Sequence, residues 1–276
     1  MSEILQAIIL GIVQGLTEFL PISSSGHLVV LPLLLGWDGV VNSLIFDVSL
    51  HLGTALAVVG FFFRDWVKIF SGFLKAASGD RSKLLDNQQA RLFLFLVVGS
   101  IPAALAGLVF KGFIETSLRS TLIVGLMLVS FGILLTYVDT VSKKTRKFGD
   151  MKWVDAVLIG IAQAVSLIPG VSRSGVTITA ARLQSLDRES SVRFSFLLSA
   201  PAILGAGVLT LKDLLQVGAG QSPTIFWAGF ISAAVSGWIA IKFLLSFVQK
   251  NNFNIFVWYR VVFGAFLILT ALMGKN

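Results

Sequence analysis

The chain contains no cysteine and only two histidines, His27 and His51, among 276 residues. The first absence excludes disulfides, thiolate metal sites and a thiol nucleophile. The second excludes any catalytic set that needs a further histidine. Charge is also scarce: Asp, Glu, Lys and Arg make up 13% of the chain and 55% is hydrophobic, against about 25% charged residues in soluble domains. One large soluble core does not explain this, because long apolar stretches recur along the whole length, several near the ~20 residues that cross a bilayer. The sequence reads as one all-α, multi-pass membrane domain over 1–276. Met1 to Leu10 has no basic region before its apolar run and no small-residue cleavage site after it, so no cleaved signal peptide is expected.

The net charge of +8 raises nucleic acid as a partner. The basic residues, however, fall in gaps between apolar segments, where the positive-inside tendency puts them, and no nucleic-acid motif accompanies them. Six segments read as full spans, at about 44–63, 91–111, 118–138, 192–212, 223–249 and 255–274. Two others, 3–36 and 154–186, are apolar but broken by Pro, Gly and Ser, as in re-entrant hairpins, whose irregular backbone is tolerated only when shielded by protein or lining a wet cavity. These two regions repeat without a gap at an offset of 149: Gly11-Ile-Val-Gln14 through Ser23, Ser25 and Gly26 lies over Gly160-Ile-Ala-Gln163 through Ser172, Ser174 and Gly175.

Each half, about 1–140 and 150–276, then holds one re-entrant hairpin and three spans, and an odd span count inverts the second half relative to the first. With 64–91, 139–153, 182–193 and 242–254 on the cytoplasmic side, that side carries sixteen of the 22 lysines and arginines, and both termini are expected outside.

Ionisable groups inside the membrane are costly and are functional candidates by default. Here they are Glu18, His27, Asp47, His51, Arg173 and Arg260. Glu18 lies in the first hairpin and Arg173 in the second, so a pseudo-two-fold arrangement brings an acid and a guanidinium into one pocket. The turns Pro21-Ile-Ser23-Ser24-Ser25-Gly26-His27 and Pro169-Gly-Val-Ser172-Arg173-Ser174-Gly175 combine breakers and hydroxyls ahead of renewed apolar sequence. Such turns aim backbone N–H groups at an anion, and the planar fork of Arg173 suits phosphate oxygens. Ser23, Ser25, Gly26, Ser172, Ser174 and Gly175 are therefore candidate phosphate-binding positions, although serines serve equally well to satisfy broken backbone. Asp47 and His51, four apart on one helix face, and Thr17 beside Glu18 are candidate supporting residues. Arg260, near the cytoplasmic end of its span, is expected to snorkel to the interface.

At this point the chain resembles the undecaprenyl-diphosphatase family, also called bacitracin-resistance proteins. The resemblance rests on Gln14-Gly-Leu-Thr-Glu18-Phe-Leu-Pro-Ile-Ser-Ser24-Ser-Gly-His27 and Pro169-Gly-Val-Ser-Arg173-Ser-Gly, with Phe46-Asp-Val-Ser-Leu-His-Leu-Gly53 and Phe194-Ser-Phe-Leu-Leu-Ser-Ala-Pro201 behind them. It implies divalent-cation-dependent hydrolysis of undecaprenyl diphosphate at a bacterial cytoplasmic membrane, from a site open to the outer leaflet. It also implies catalytic roles for Glu18, Ser24, His27 and Arg173. Where some members carry a second glutamate this chain has Gln14, so a Mg²⁺ or Ca²⁺ ion is expected on Glu18 and Gln14, with water and substrate phosphates completing its shell. Ser24 is favoured as nucleophile over an activated water, with His27 as base. The other reading of His27 is a ring hydrogen-bonded to a hairpin carbonyl.

Broken helices and an inverted repeat also suit a lipid flippase or transporter, since fold does not fix function. The unrelated type 2 phosphatidic-acid phosphatase pattern fits only at Ser25-Gly-His27, because no histidine follows Arg173. The polyprenyl diphosphate and membrane lipid are the expected partners, and a homodimer is left open.

Overall fold

Breaks in helical continuity set the architecture. The computed structural model describes residues 1–79, 84–118, 120–217 and 223–273. Its elements are helical: α1 (Glu3–Phe19), α2 (Ser24–Leu35), α3 (Leu44–Phe61), α4 (Phe63–Ser78), α5 (Gln88–Ser117), α6 (Thr121–Val141), α7 (Trp153–Val165), α8 (Arg173–Leu183), α9 (Arg188–Val217), α10 (Pro223–Phe247) and α11 (Asn254–Leu272). Short 3-10 turns at Gly39–Asn42 and Phe148–Asp150 join them. The helices α5, α6, α9, α10 and α11 are each long and apolar enough to cross a membrane. The hairpin helices α1, α2, α7 and α8 have 17, 12, 13 and 11 residues and fall short of the ~20 a span needs. They form the two expected hairpins.

One expected span differs in form. The 44–63 segment is the 18-residue α3, which ends at Phe61, and α4 leaves it at a bend of 72° at Phe62. The stretch beyond it, read from sequence as a connection, is helical through Ser78. On α4, Phe63, Val67, Phe70 and Leu74 follow one another at spacings of four, three and four, and all four are exposed. Ile69 faces inward, and Arg64, Lys68 and Lys75 supply polar flanks. Such a stripe on a charged helix is the pattern of a helix lying in a membrane interface.

Packing follows the repeat. The helix α1 runs along α10 as α7 runs along α5, α3 packs on α10 as α9 packs on α5, and α3 meets α9 as α6 meets α11. Exchanging α1 with α7, α3 with α9, α5 with α10 and α6 with α11 maps these contacts onto one another. Small residues permit the approach, as at membrane helix interfaces generally. A methyl group on Gly11 or Gly15 would collide with Ser232 or Ser236 of α10, and one on Gly160 would lie 2.6 Å from the Gly99 carbonyl of α5.

The link between the halves is pinned by ion pairs. Asp139, at the end of α6, accepts from Arg182 Nε at 2.9 Å and from Arg188 Nη2 at 2.7 Å, and Arg182 is fully buried. Arg146 makes a two-pronged contact with Asp155 at 3.0 and 2.5 Å, and its backbone pairs with Ser185 and Asp187. Arg146, Arg182 and Arg188, counted from sequence as topology signals, are therefore also structural. The short contacts to Asp155 favour the charged form of Arg146 and raise its pKa above the ordinary value, while its burial lowers it. Removing one partner of a buried pair strands the other charge, at a cost of about 3–5 kcal/mol. Asp139→Ala is thus expected to lower the thermal unfolding midpoint in detergent by several degrees, while Lys143→Ala, at an exposed neighbouring position, leaves it in place. Equal midpoints for the two variants would contradict the assignment.

Candidate active site

The two hairpin turns share an unusual backbone. Ser23, which precedes α2, has φ 75°, and Ser172, which precedes α8, has φ 72°. These are repeat-related positions, and positive φ at a residue bearing a Cβ costs of order 1–3 kcal/mol. Each turn is then followed by a helix N-terminus. Ser172 caps α8 by accepting from Gly175 N–H at 3.2 Å, and Ser174 Oγ donates across to the Leu20 carbonyl at 3.0 Å. Ser23 and Ser25 approach each other at 3.3 Å, as Ser172 and Ser174 do at 3.2 Å. Of the four serines proposed for phosphate, Ser172 and Ser174 thus also satisfy hairpin backbone.

Between the turns, the expected acid and guanidinium meet. Glu18, 7% exposed, accepts from Arg173 Nη2 on Oε1 at 2.7 Å. Its Oε2 accepts from Ser24 Oγ at 2.5 Å and from Gln14 Nε2 at 3.2 Å. Arg173 also donates to the Ser195 carbonyl of α9 at 3.2 Å, so two of its five N–H donors are committed and the rest remain for a ligand. Thr177, one turn into α8, shares a 2.7 Å hydroxyl contact with Ser195. Thr177 does not stand out from sequence, and Ser195 enters there only as part of the Phe194–Pro201 string, with no role of its own.

The expected supporting residues divide. His51 Nε2 lies 3.8 Å from Glu18 Oε2, and its Nδ1 donates to the backbone carbonyl of Asp47 at 2.8 Å. Asp47 thus contributes its main chain to the orientation of His51. Thr17 donates to the Val13 carbonyl of its own helix at 2.7 Å.

His27 is placed differently from a base on Ser24. Its Nδ1 sits 2.7 Å from the Ser23 carbonyl and its Nε2 sits 2.6 Å from the Tyr259 hydroxyl. A carbonyl only accepts, so in the neutral ring Nδ1 carries the proton and Nε2 accepts from Tyr259. The ring also stacks on Phe263, with centroids 4.8 Å apart. Both nitrogens are thereby engaged in holding the strained Ser23 turn to α11. The signal for Tyr259 was available in one form: it is one of only two tyrosines, directly ahead of an intramembrane arginine.

Arg260 does not snorkel. It is fully buried, and its guanidinium donates to the carbonyls of Leu128 (3.0 Å), Pro21 (3.3 Å), Met127 (3.3 Å), Gly170 (3.1 Å) and Val171 (3.0 Å). One side chain thus ties both hairpin turns to α6. Gly175, a candidate phosphate residue, makes room for it, since a Cβ there would lie 2.8 Å from Arg260 Nη1. At Gly26 a Cβ would meet Val124 at 3.2 Å, so this glycine fits hairpin one against α6.

A metal-ligand set of three or more His, Asp or Glu is absent among the described residues. The amide oxygen of Gln14, however, is buried with no hydrogen-bond partner among the described residues, one helical turn from the Glu18 carboxylate. A neutral and an anionic oxygen at this spacing suit a hard cation that draws its other ligands from water and substrate. The repeat counterpart Gln163 also has an unpartnered buried oxygen, but Leu167 stands where hairpin one has Glu18. Only hairpin one pairs the amide with a carboxylate.

The sequence profile of the family described as bacitracin resistance protein BacA matches residues 7–266. A protein of Thermodesulfovibrio yellowstonii named undecaprenyl-diphosphatase is 46% identical over 260 residues, covering 94% of each chain. Proteins of the same name from Pelotomaculum thermopropionicum and Rubrobacter xylanophilus are 42% and 44% identical, over 97% and 99% of this chain and 97% and 100% of theirs.

Two outcomes follow from the geometry. Arg260→Met leaves several buried carbonyls without their donor and is expected to destabilise the protein by at least about 2 kcal/mol, with Arg260→Lys recovering only part of this because a point charge reaches fewer acceptors. In a His51→Gln background, ¹⁵N imidazole spectra are expected to show His27 as the Nδ1–H tautomer, with its Nε2 resonance shifting in Tyr259→Phe. An Nε2–H tautomer, or no response to Tyr259→Phe, would contradict the placement.

Proposed function

The chain belongs to the bacitracin resistance protein BacA family, and on that footing we propose that it hydrolyses undecaprenyl diphosphate to undecaprenyl phosphate and inorganic phosphate in a bacterial cytoplasmic membrane. This returns the lipid carrier to cell-wall synthesis and lowers sensitivity to bacitracin. One observation supports it above the others: a hydroxyl, a carboxylate and a guanidinium from two hairpins form a continuous chain, Ser24 Oγ to Glu18 at 2.5 Å and Glu18 to Arg173 at 2.7 Å.

In this reading Ser24 Oγ attacks the terminal phosphorus and Glu18 Oε2 takes its proton. The bond from phosphorus to the bridging oxygen breaks, and its electron pair leaves with undecaprenyl phosphate. Water then attacks the phosphoserine phosphorus, the bond from phosphorus to Ser24 Oγ breaks, Glu18 returns its proton to Oγ, and the two protons of the water leave with the inorganic phosphate. The free N–H groups of Arg173 and the N–H groups at the start of α2 and α8 meet the charge that develops on the equatorial oxygens, the principal source of rate in phosphoryl transfer. Glu18 and Gln14 would hold a Mg²⁺ or Ca²⁺ ion, which when bound adds positive charge against the diphosphate oxygens. His27 fixes the Ser23 turn, and with it the direction of Ser24, and His51 lends a polar neighbour to Glu18. The site is read as opening to the outer leaflet, the access that the family resemblance implies.

The test is phosphate release from farnesyl diphosphate by purified protein. Glu18→Gln, Ser24→Ala and Arg173→Ala are each expected to lower kcat at least about 100-fold while the proteins stay folded, and EDTA is expected to stop the wild type until Mg²⁺ or Ca²⁺ is restored. Retained turnover in folded Ser24→Ala would move the nucleophile to water, and retained turnover in Glu18→Gln would remove the site.

A further inference from the structure

Away from the hairpins, α4, the start of α5, the 147–151 turn and the start of α9 enclose a cavity of about 400 Å³, the size of a small-molecule site. Three of the four basic connections converge on it. Its floor is apolar, with Ile69, Leu92, Phe95 and Leu197, and its walls are charged. Some of those charges are already committed. Asp65 accepts from Arg193 at 2.5 Å, and Asp187 accepts from the Ser190 N–H at the start of α9 at 2.8 Å. Arg91, Lys147 and Glu189 remain without an ion-pair partner among the described residues. The Nε of Arg91 is buried and has no hydrogen-bond acceptor there, a situation proteins normally avoid.

Arg91 and Lys147 face two carboxylates outside any ion pair among the described residues, Glu189 and the backbone-bonded Asp187, and this balance does not suit a simple anion, which both acids would repel. It suits a ligand with a phosphate and an ammonium group. The exposed stripe of Phe63, Val67, Phe70 and Leu74 on α4 independently points to a lipid, because α4 also walls the cavity through Asp65 and Ile69 and its outer face is built for acyl chains.

We propose that this cavity binds the headgroup of a zwitterionic, primary-amine phospholipid of the phosphatidylethanolamine type. Its phosphate lies against Arg91 and Lys147, its ammonium lies against Glu189, and its acyl chains lie along α4. The ammonium donates hydrogen bonds to the carboxylate that a trimethylated headgroup lacks, so the site discriminates between the two. This lipid is a bound partner, distinct from the diphosphate at the hairpins, and the inference stands whether or not the hairpin chemistry is as described.

The experiment is native mass spectrometry of the full-length detergent-solubilised protein with phosphatidylethanolamine, phosphatidylcholine and phosphatidylglycerol of identical chains, using wild type, Arg91→Gln/Lys147→Gln and Glu189→Gln. Wild type is expected to retain the ethanolamine lipid several-fold over the other two. The double variant should lose that excess, and Glu189→Gln, a change at an exposed side chain, should lose the preference over phosphatidylglycerol. Equal adducts of all three lipids, or an unchanged double variant that elutes as a folded protein, would overturn the proposal. Displacement of the lipid by soluble phosphoethanolamine at matched concentration would also overturn it, by showing a headgroup site with no contribution from α4.

Discussion

Backbone that leaves the helix inside a membrane must find its hydrogen bonds within the protein, and here one guanidinium carries the largest share of that burden. The turns of both hairpins free carbonyls at Pro21, Gly170 and Val171, and Arg260 donates to all three while also reaching Met127 and Leu128 of α6. Without such a donor, three turn carbonyls would be left unpaired where the two broken helices end beside each other. With it, two helix N-termini and the side chains they carry are brought to one place. The site depends on this clamp although Arg260 is not among the bonded partners of Glu18 or Ser24.

The consequences run outward. Because the turns are fixed, Ser23 and Ser172 are held at positive φ, and Ser24 and Arg173 open their helices facing Glu18. Hairpin one is secured further by His27, whose ring joins the Ser23 carbonyl to Tyr259. Hairpin two uses the cap between Ser172 and Gly175 and the bond from Ser174 to Leu20. The halves thus share a backbone plan and differ in side chains: hairpin one holds the carboxylate, the amide and the hydroxyl, and hairpin two holds the cation.

Much of this was legible in the sequence. The repeat at offset 149 foretold both hairpins, and the scarcity of charge singled out Glu18 and Arg173 as partners. The role of Arg260 was not legible, because an arginine near a span terminus looks the same whether it reaches water or turns inward, and its acceptors are carbonyls that every sequence contains. For His27 the sequence left two readings, a base beside Ser24 or a ring bonded to a hairpin carbonyl; the ring does contact the Ser23 carbonyl, and its other partner, Tyr259, lies 232 residues away. The helix beyond Phe62 was not legible, because Arg64-Asp65 reads as the end of a span and not as the first turn of α4, and nothing in the sequence joins Asp139 to Arg182, which α8 brings to it.

The central claim is that the reacting phosphate sits between the two hairpins. The direct measurement is an experimental structure with a farnesyl methylene-diphosphonate, which cannot be cleaved at the bridging atom. The account places the terminal phosphorus beside Ser24 Oγ, with its oxygens on Arg173 and the N–H groups of α2 and α8. A diphosphonate bound elsewhere, with the bond between Arg173 and Glu18 undisturbed and nothing against Ser24, would contradict it.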